Sequence, residues 1–375
     1  MHRFKRVAIG LALFSLFGST LLAQPAALAQ TADKTTIRLG YVPVLIYSPL
    51  FVALEKGYFA AENLDVQLTP LQGGTDSVVQ LAAGNFDAAV GGIGAGLLNA
   101  ANKGLDFRIV APMHSERPPV STSLVISAAR AGDIKTVADL KGKTVAINAT
   151  GAATEYWLAQ ALQEGGLTFA DIKLTTVAFK DVPVALQSGA VDAAMLGEPL
   201  TTLQVKSGTV KILSDDFIHG FVSTYLYMGL PLLKDHLPAA QGFVRAYLKA
   251  CRDLQGDALK DPAIAAIIEK YTKVPAATIE TASHAYYDPN GTIPVGDIQT
   301  LQTYFLSRGE LDYKTPLDLT RFIDTSLVTN ALTTLGTVPV PTAAATMSAV
   351  TNATMAATAS AMMNATVAPT MAATP

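Results

Sequence analysis

LAAGNFDAAVGG, at residues 81–92, and LQSGAVDAAMLG, at residues 186–197, share Leu, Gly, Asp, Ala, Ala and Gly in the same register. Each copy predicts the end of a helix, a Gly turn, and a short buried strand that starts at Phe86 or Val191. Ligands of open α/β sheets bind beyond the carboxyl ends of the strands. The repeat therefore predicts two α/β halves that hold a small molecule in a shared crevice.

The rest of the chain continues this plan in both halves. Strand-like runs alternate with helical runs, which is typical of parallel sheets covered by helices. Two similar β segments, STSLVIS at 121–127 and STYLYMG at 223–229, flank the second half. We interpret them as paired hinge strands about which two lobes open and close. The predicted strands lie at 37–42, 64–71, 107–113, 143–148, 173–179 and 210–213.

Residues 1–29 have the features of a secretory signal peptide. A basic start at 3–6 precedes an apolar run at 7–23, and Ala-Leu-Ala precedes Gln30. The run is shorter than the roughly 20 apolar residues of a membrane-spanning helix, so we expect cleavage rather than a retained anchor. Cleavage removes three basic and no acidic residues, which takes the net charge from −3 to −6. This charge disfavours nucleic acid as a partner.

The body and the tail differ in composition. Cys251 is the only cysteine, so an exported form of this chain has no internal disulfide and depends on burial for its stability. After Asp324 the chain carries no charged residue, and from Pro339 it is almost entirely Ala, Thr, Met, Val, Ser, Asn and Pro. We interpret this low-complexity segment as a flexible tail or linker without binding chemistry.

A family resemblance rests on the order of several segments: IRLGYVPV, EKGYFAAENLDVQL, LAAGNFDAAVGG, ADLKGKTVAI and GEP. In this order they resemble solute-binding proteins of ABC importers, over residues 36 to about 325. Within that family the chain is similar to the members that share a domain with fungal thiamine-pyrimidine synthases. Those members bind sulfonates, nitrate, pyrimidine vitamin precursors or riboflavin.

The resemblance implies the α/β fold class of type II periplasmic-binding proteins, with two lobes, a hinge of two β segments and a ligand cleft between the lobes. It also implies an exported protein, in the periplasm or on the outer face of the cell membrane. Its partners would be a small-molecule ligand and an ABC permease with its ATPase, and it would contact the membrane only through the permease. The predicted divisions are the signal peptide at 1–29, lobe one at 35–122 plus 227–335, lobe two at 123–226, and the tail at 336–375.

The predicted ligand contacts come from loops at the carboxyl ends of strands. These loops contain Tyr41, Tyr47, Tyr156 and Trp157 and several carboxylates, Glu116 and Glu155 among them, whereas Arg117 and Lys180 are their only Lys or Arg residues. Amides at Thr150 and Gly151 precede a helix and could hold a ligand oxygen. The predicted ligand-binding residues are Tyr41, Tyr47, Asp76, Gly92, Gly94, Arg117, Thr150, Gly151, Tyr156, Trp157 and Glu198.

Aromatic walls and carboxylate acceptors favour a heteroaromatic, vitamin-type ligand that carries NH or OH groups. Riboflavin and a thiamine pyrimidine precursor are the named possibilities, and several rings with several acceptors fit the flavin slightly better. The alternative ligand is an aliphatic sulfonate, or another small anion, held by Arg117 and the amides at 150–151. The stretch GGIGAG, at 91–96, is followed by Leu97 where a dinucleotide-binding motif needs its last Gly. We therefore expect these glycines to allow close approach of the backbone to the ligand instead.

A third possibility is an enzyme that resembles the pyrimidine-precursor synthases. Those synthases carry a cysteine-rich motif, and this chain has one Cys. It also lacks the GxSxG and HExxH motifs, and its histidines are too far apart for local metal ligation. The sequence therefore predicts no catalytic residues, no metal site and no cofactor. His114 and the other histidines are expected at the surface or as capping groups.

Overall fold

The computed structural model describes residues 34–71 and 74–340, apart from the side chains of residues 74–76 and 78. The predicted signal peptide and the tail from residue 341 onward lie outside the described residues. Within the described ranges, no helix combines the length and the apolar character needed to cross a membrane.

The described residues form ten strands in two sheets of five. The first sheet has the order β2-β1-β3-β10-β4, and the second has the order β7-β6-β8-β5-β9. The strands are β1 (Thr35–Tyr41), β2 (Leu64–Pro70), β3 (Ala88–Gly92), β4 (Phe107–Glu116), β5 (Thr122–Ser127), β6 (Thr144–Ile147), β7 (Lys173–Thr176), β8 (Ala193–Gly197), β9 (Val210–Ser214) and β10 (Phe221–Gly229).

Helices cover both sheets, which gives the two-lobed α/β architecture predicted from the repeat. In the described residues these helices are α1 (Ser48–Glu55), α2 (Tyr58–Ala61), α3 (Gly74–Ala82), α4 (Ala95–Asn102), α5 (Ala153–Glu164), α6 (Val182–Gln187), α7 (Leu200–Lys206), α8 (Leu230–Asp235), α9 (Leu237–Asp253), α10 (Pro262–Thr272), α11 (Ala276–Ile279), α12 (Val295–Arg308) and α13 (Ser326–Leu335).

The two copies of the repeat occupy equivalent places. β3 and β8 are each the central strand of their sheet, and each is parallel to one neighbour, β1 in the first sheet and β6 in the second. Ala88 and Ala89 pair with β1, and Ala193 and Ala194 pair with β6. Small side chains at these buried positions let helices pack closely on both faces of the sheet.

STSLVIS and STYLYMG do not pair with each other but lie in different sheets. The first segment forms β5, which pairs with β8 and β9 in the second sheet. The second segment lies in β10, which pairs with β3 and β4 in the first sheet. The two segments look alike because each is the antiparallel strand beside the central strand of its own sheet. The chain passes between the sheets through residues 117–121 and 215–220.

Residues after β10 return to the first lobe. Helix α9 packs on α1 and α13, and Tyr247 on α9 donates a hydrogen bond of 2.7 Å to the carbonyl of Pro112 on β4. Helix α12 packs on β10 and also contacts α5 of the second lobe. The chain is hydrogen-bonded as far as Val338, whose N–H donates to Asn290 Oδ1 at 2.8 Å. The lobe and tail limits given above stay predictions.

Candidate ligand-binding site

A cavity of about 90 Å³ lies between the two lobes, at the carboxyl ends of strands from both sheets. The first lobe contributes the end of β3 at Gly92 and the end of β4 at Glu116. The second lobe contributes Gly197 and Glu198 after β8, together with the start of α5. The cavity therefore occupies the position at which open α/β sheets bind ligands.

Position 94 has room only for glycine, because the two lobes are in contact there. A Cβ at this position would lie 2.4 Å from the carbonyl oxygen of Gly151, which belongs to the second lobe. The next residue, Ala95, donates its N–H to the same oxygen at 2.8 Å. The expected close approach of backbone in GGIGAG is thus an approach to the other lobe, and it brings Gly92 and Gly94 to the wall of the cavity.

Glu116 presents a buried carboxylate to the cavity. Its oxygens accept hydrogen bonds from Ser121 N–H at 2.7 Å and Ser121 Oγ at 2.6 Å, and His114 Nε2 lies 3.2 Å away. Burial opposes ionisation, but the hydrogen bonds from His114 and Ser121 outweigh it and hold the pKa of Glu116 below its ordinary value. A carboxylate has about four acceptor positions, so roughly one remains for a ligand.

Glu198 lies on the other side of the cavity, in the second lobe. Its carboxylate accepts from Thr202 Oγ1 at 2.9 Å and Thr202 N–H at 3.1 Å, near the start of α7. Ser283 N–H of the first lobe lies 3.4 Å away. Burial raises the pKa of Glu198, and the charge of Glu116 adds to this effect. Two carboxyl groups from different lobes are thus close enough to influence each other's ionisation.

Aromatic side chains form part of the remaining wall. Tyr47, Trp157 and Phe179 all line the cavity. Trp157 is only 3% exposed, because its ring packs edge-on against Phe221 at 5.5 Å. Its ring is therefore a rigid surface against which a flat ligand can pack.

The loop before α5 supplies polar groups to the cavity. Asn148 accepts a hydrogen bond from Thr154 Oγ1, and both residues line the cavity. The N–H of Gly151 donates to Glu155 Oε2 at 2.9 Å. The expectation that this amide holds a ligand oxygen is therefore wrong, because a buried side chain already accepts from it.

Comparison with known proteins fixes the family. The model of the NMT1-like family matches residues 30–269, which is more than half of the chain. The chain belongs to this family. A riboflavin-binding protein of Chloroflexus aurantiacus (strain ATCC 29366 / DSM 635 / J-10-fl), RibY, is 26% identical over 62% of the chain and 65% of its own length. An Escherichia coli (strain K12) protein named for aliphatic sulfonates is 31% identical over 47% of the chain and 53% of its own length.

The matches thus span between half and two thirds of these relatives. Among solved structures, the alkanesulfonate-binding protein SsuA of Xanthomonas axonopodis pv. citri, bound to MOPS, aligns with a TM-score of 0.66. The alignment covers 78% of this NMT1-like chain and 99% of that protein at 18% identity. At this identity the likeness establishes the fold, which is the two-lobed fold of periplasmic-binding proteins.

Six of the predicted residues meet at the cavity of this NMT1-like protein, and four others lie elsewhere. Tyr41 packs in the first lobe against Phe51, with ring centroids 5.1 Å apart. Thr150 is exposed, and Tyr156 packs behind Trp157. The side chain of Asp76 lies outside the described residues. The six residues at the cavity are Tyr47, Gly92, Gly94, Gly151, Trp157 and Glu198.

Arg117 is the fourth predicted residue away from the cavity. Its guanidinium lies 3.5 Å from the centroid of the Tyr286 ring, at a second cavity of about 260 Å³. Strand geometry explains the placement, since Arg117 directly follows the last residue of β4 and adjacent side chains of an extended chain point to opposite faces. Glu116 faces the ligand cavity, so its neighbour Arg117 faces away.

His114 does not lie at the surface, where it is expected from the sequence. It is 2% exposed rather than a surface residue, and its ring touches the carboxylate of Glu116. The sequence held a signal for this contact, because residues two apart on a strand share a face. Among the described residues, no group of three or more acidic, His or Cys side chains is placed to hold a metal ion.

Proposed function

We propose that this NMT1-like protein is the extracytoplasmic solute-binding component of an ABC importer. It captures a small molecule between its lobes and delivers it to a membrane permease that an ATPase powers, without making or breaking a bond in the ligand. Support comes from the cavity between two lobes of the periplasmic-binding fold and from relatives that are named as binding proteins. The signal-like residues 1–29 support export.

The ligand is a small heteroaromatic molecule that carries N–H donors. One observation carries this proposal: the carboxyl groups of Glu116 and Glu198 face one cavity, and none of the described residues that line it is Lys or Arg. An anion in that position would meet two acidic groups and no Lys or Arg among these lining residues, which is costly in a buried site. A ring with amino groups instead offers donors to both carboxyl groups.

The size of the cavity favours one ring over three. A cavity volume of about 90 Å³ suits a single substituted ring. A flavin would need a considerably larger space. We therefore place a thiamine-type aminopyrimidine ahead of riboflavin, which reverses the slight preference drawn from the number of aromatic residues. A relative of Halalkalibacterium halodurans, 26% identical over 52% of the chain, is named a formylaminopyrimidine-binding protein.

A sulfonate is the second candidate ligand. The first residues of α5, Ala153 and Thr154, line the cavity, and the amides at a helix N-terminus attract anions. The E. coli relative and the SsuA structure are named for this class of ligand. The acidic groups opposite this helix are the reason that we rank it second.

The test is to identify the molecule that co-purifies with the full chain after secretion from its host. Mass spectrometry of the released compound should give an aminopyrimidine, and titration calorimetry with that compound should then give one site per chain. A yellow flavin would support import but contradict our choice of ligand. A sulfur-containing anion, or binding of taurine to the emptied protein in preference to aminopyrimidines, would transfer the assignment to sulfonates.

A further inference from the structure

The loop that carries Gly151 is held by a buried carboxylate. Glu155 on α5 is 0% exposed, and its Oε2 accepts from the Gly151 N–H at 2.9 Å. The carbonyl of Gly151 accepts in turn from Ala95 N–H of the first lobe at 2.8 Å. Gly151 is thus fixed from both sides while it forms part of the cavity wall.

Residues of the first lobe reach across to the same carboxylate. Arg308, at the end of α12, donates from Nε to Glu155 Oε1 at 3.0 Å. Tyr304, one turn earlier, directs its hydroxyl to the Glu155 carbonyl at 3.3 Å. The guanidinium of Arg308 also lies over the ring of Phe169, 4.3 Å from its centroid. Closure of the lobes therefore places one cation beside Glu155.

A second acidic residue, Glu310, also lies near Arg308. Glu310, whose side chain is 15% exposed, has Oε1 3.8 Å from Arg308 Nε. Its Oε2 is buried and has no hydrogen-bond donor among the described residues. The same oxygen would lie 3.3 Å from a Cβ at Gly151, so it points into the loop that Glu155 holds. A buried acceptor without a donor is costly, unless it carries a proton and becomes a donor itself.

We propose that Glu310 binds one proton when the lobes close, and that its hydrogen bond to Glu155 latches the lobes over the ligand by positioning the Gly151 loop. The proton comes from solvent and binds Glu310, whose hydroxyl then donates to Glu155. Arg308 balances the one charge that remains. The inference rests on the proposed capture of a ligand between the lobes, but the latch itself involves no ligand atom.

The direction of the pH effect follows from linkage. In the closed protein, burial and then the hydrogen bond and charge of Glu155 raise the pKa of Glu310 to about 8, from an ordinary value of 4.5. When the lobes separate, the groups that raise this pKa move away from Glu310, and the carboxyl returns toward its ordinary value. When the pH lies between these two pKa values, closure of the lobes therefore binds one proton. The closed state is favoured below about pH 5 and loses this advantage as the pH rises to about 8. Because Glu310 is partly exposed, we expect a change of roughly tenfold to a hundredfold in the closing equilibrium.

The first experiment needs no ligand. Small-angle X-ray scattering gives the radius of gyration of the full chain at about pH 5.5 and about pH 8.5. The wild type should be more compact at the lower pH, whereas Glu310→Gln should be as compact at both, because the amide donates to Glu155 without titrating. Asp133→Asn, a control on a carboxylate that is 75% exposed, should behave like the wild type. A wild type that does not change with pH, or a Glu310→Gln chain that keeps the change, overturns the latch.

The second experiment adds an aminopyrimidine as the probe, with affinity measured by calorimetry in the same three chains. Comparison between chains cancels any protonation of the probe itself. Glu310→Gln should bind at least roughly tenfold more tightly than the wild type at about pH 8.5 and equally at about pH 5.5. The latch is contradicted if the ratio of the two affinities is the same at both pH values. If the probe binds none of the chains while the scattering changes as expected, the proposed ligand class fails and the latch stands.

Discussion

Substitution of Glu198 distinguishes the two ligand classes, because it should change the binding affinity for them in opposite directions. One oxygen of its carboxyl group accepts from Thr202 N–H and the other accepts from Thr202 Oγ1, so a Gln at this position, with one acceptor oxygen, keeps one of these two hydrogen bonds. If the ligand donates N–H groups, Glu198→Gln should weaken binding roughly tenfold, because about 1.5 kcal/mol of charge-assisted hydrogen bonding is lost. If the ligand is an anion, the same change should strengthen binding.

Calorimetric titration with an aminopyrimidine and with taurine measures both cases. Glu164→Gln is the matched control, because this exposed carboxylate accepts from Ser214 and does not line the cavity. We expect Glu164→Gln to bind as the wild type does. A Glu198→Gln chain with unchanged affinity for both compounds would remove Glu198 from the ligand contacts.

Trp157 serves both the fold and the site, so its substitution needs a paired control. Replacement by Leu removes the flat ring and should lower the affinity for a ring-shaped ligand roughly tenfold, since aromatic contacts contribute about 0.5 to 1.5 kcal/mol beyond buried area. Tyr156→Leu should destabilise the same aromatic cluster without changing a side chain that lines the cavity. Affinity at a temperature well below both unfolding midpoints is the measurement. Equal losses in the two variants would mean that Trp157 acts through packing alone.

Residue types alone could predict only part of the site. Glycines and acids at strand ends point to a crevice, and Gly92, Gly94 and Glu198 meet there. Arg117 and Tyr156 were predicted beside true lining residues, but on a strand or helix an adjacent side chain points in a different direction. The sequence predicts which loops reach the cavity. The direction of each side chain depends on its position within a strand or helix, which the composition of a loop does not reveal.

Helix α12 carries a titrating group that links it to the start of β10. Asp297, 2% exposed in the first turn of α12, accepts from Val222 N–H at 2.8 Å. Burial raises the pKa of Asp297 to about 7, from an ordinary 3.8, although the Val222 hydrogen bond acts in the opposite direction. The folded state therefore holds this proton more tightly than the unfolded chain. The contribution of Asp297 to stability is therefore fully present below about pH 4 and is lost as the pH rises through about 7.

Asp297→Asn should remove this loss, because the amide oxygen still accepts from Val222 and the side chain never ionises. We expect the variant to be more stable than the wild type at pH 8, on the order of 2 kcal/mol, and to differ much less at pH 4. Denaturant unfolding at the two pH values measures the difference. Asp318→Asn, an exposed helix cap, is the control and should show no such gain at pH 8. A benefit from Asp297→Asn of equal size at both pH values would point to packing rather than ionisation.

Elements were predicted well where their pattern is local. The strand predicted at 64–71 is β2 at Leu64–Pro70, and the strand predicted at 210–213 is β9 at Val210–Ser214. Partners across the sheets were not predictable in the same way. β5 and β10 resemble each other in sequence, and similar strands can pair or can occupy equivalent places in separate sheets. The antiparallel place beside each central strand is set by sheet topology, which a short segment does not encode.

At the scale of the whole molecule, one repeat unit produces two sheets of the same order, and the ends of their central strands form one cavity. Direct hydrogen bonds join the lobes beside this cavity, from Leu45 N–H to the Glu198 carbonyl and from Ala95 N–H to the Gly151 carbonyl. Both acceptors belong to residues that line the cavity. Ligand capture and lobe closure therefore involve the same backbone segments, which is the basis for expecting them to be coupled.

The end of the folded body can be located by truncation. The predicted tail begins at residue 336, yet Val338 exchanges two hydrogen bonds of 2.8 Å with the side chain of Asn290. A chain that ends at residue 340 keeps both bonds and should match the full chain in stability and ligand affinity. A chain that ends at residue 336 loses them, and we expect a cost of about 1 to 2 kcal/mol.

Thermal unfolding of both truncated chains measures this cost, which corresponds to a midpoint lower by roughly 2 to 4 °C. Asn290→Ala in the full chain should produce a similar loss, and the same substitution in the chain that ends at residue 336 should add little, because both changes break one contact. Additive losses would show that Asn290 and the segment at 337–340 stabilise the protein independently. Loss of ligand affinity in the chain that ends at residue 340 would show instead that the residues beyond it contribute to binding.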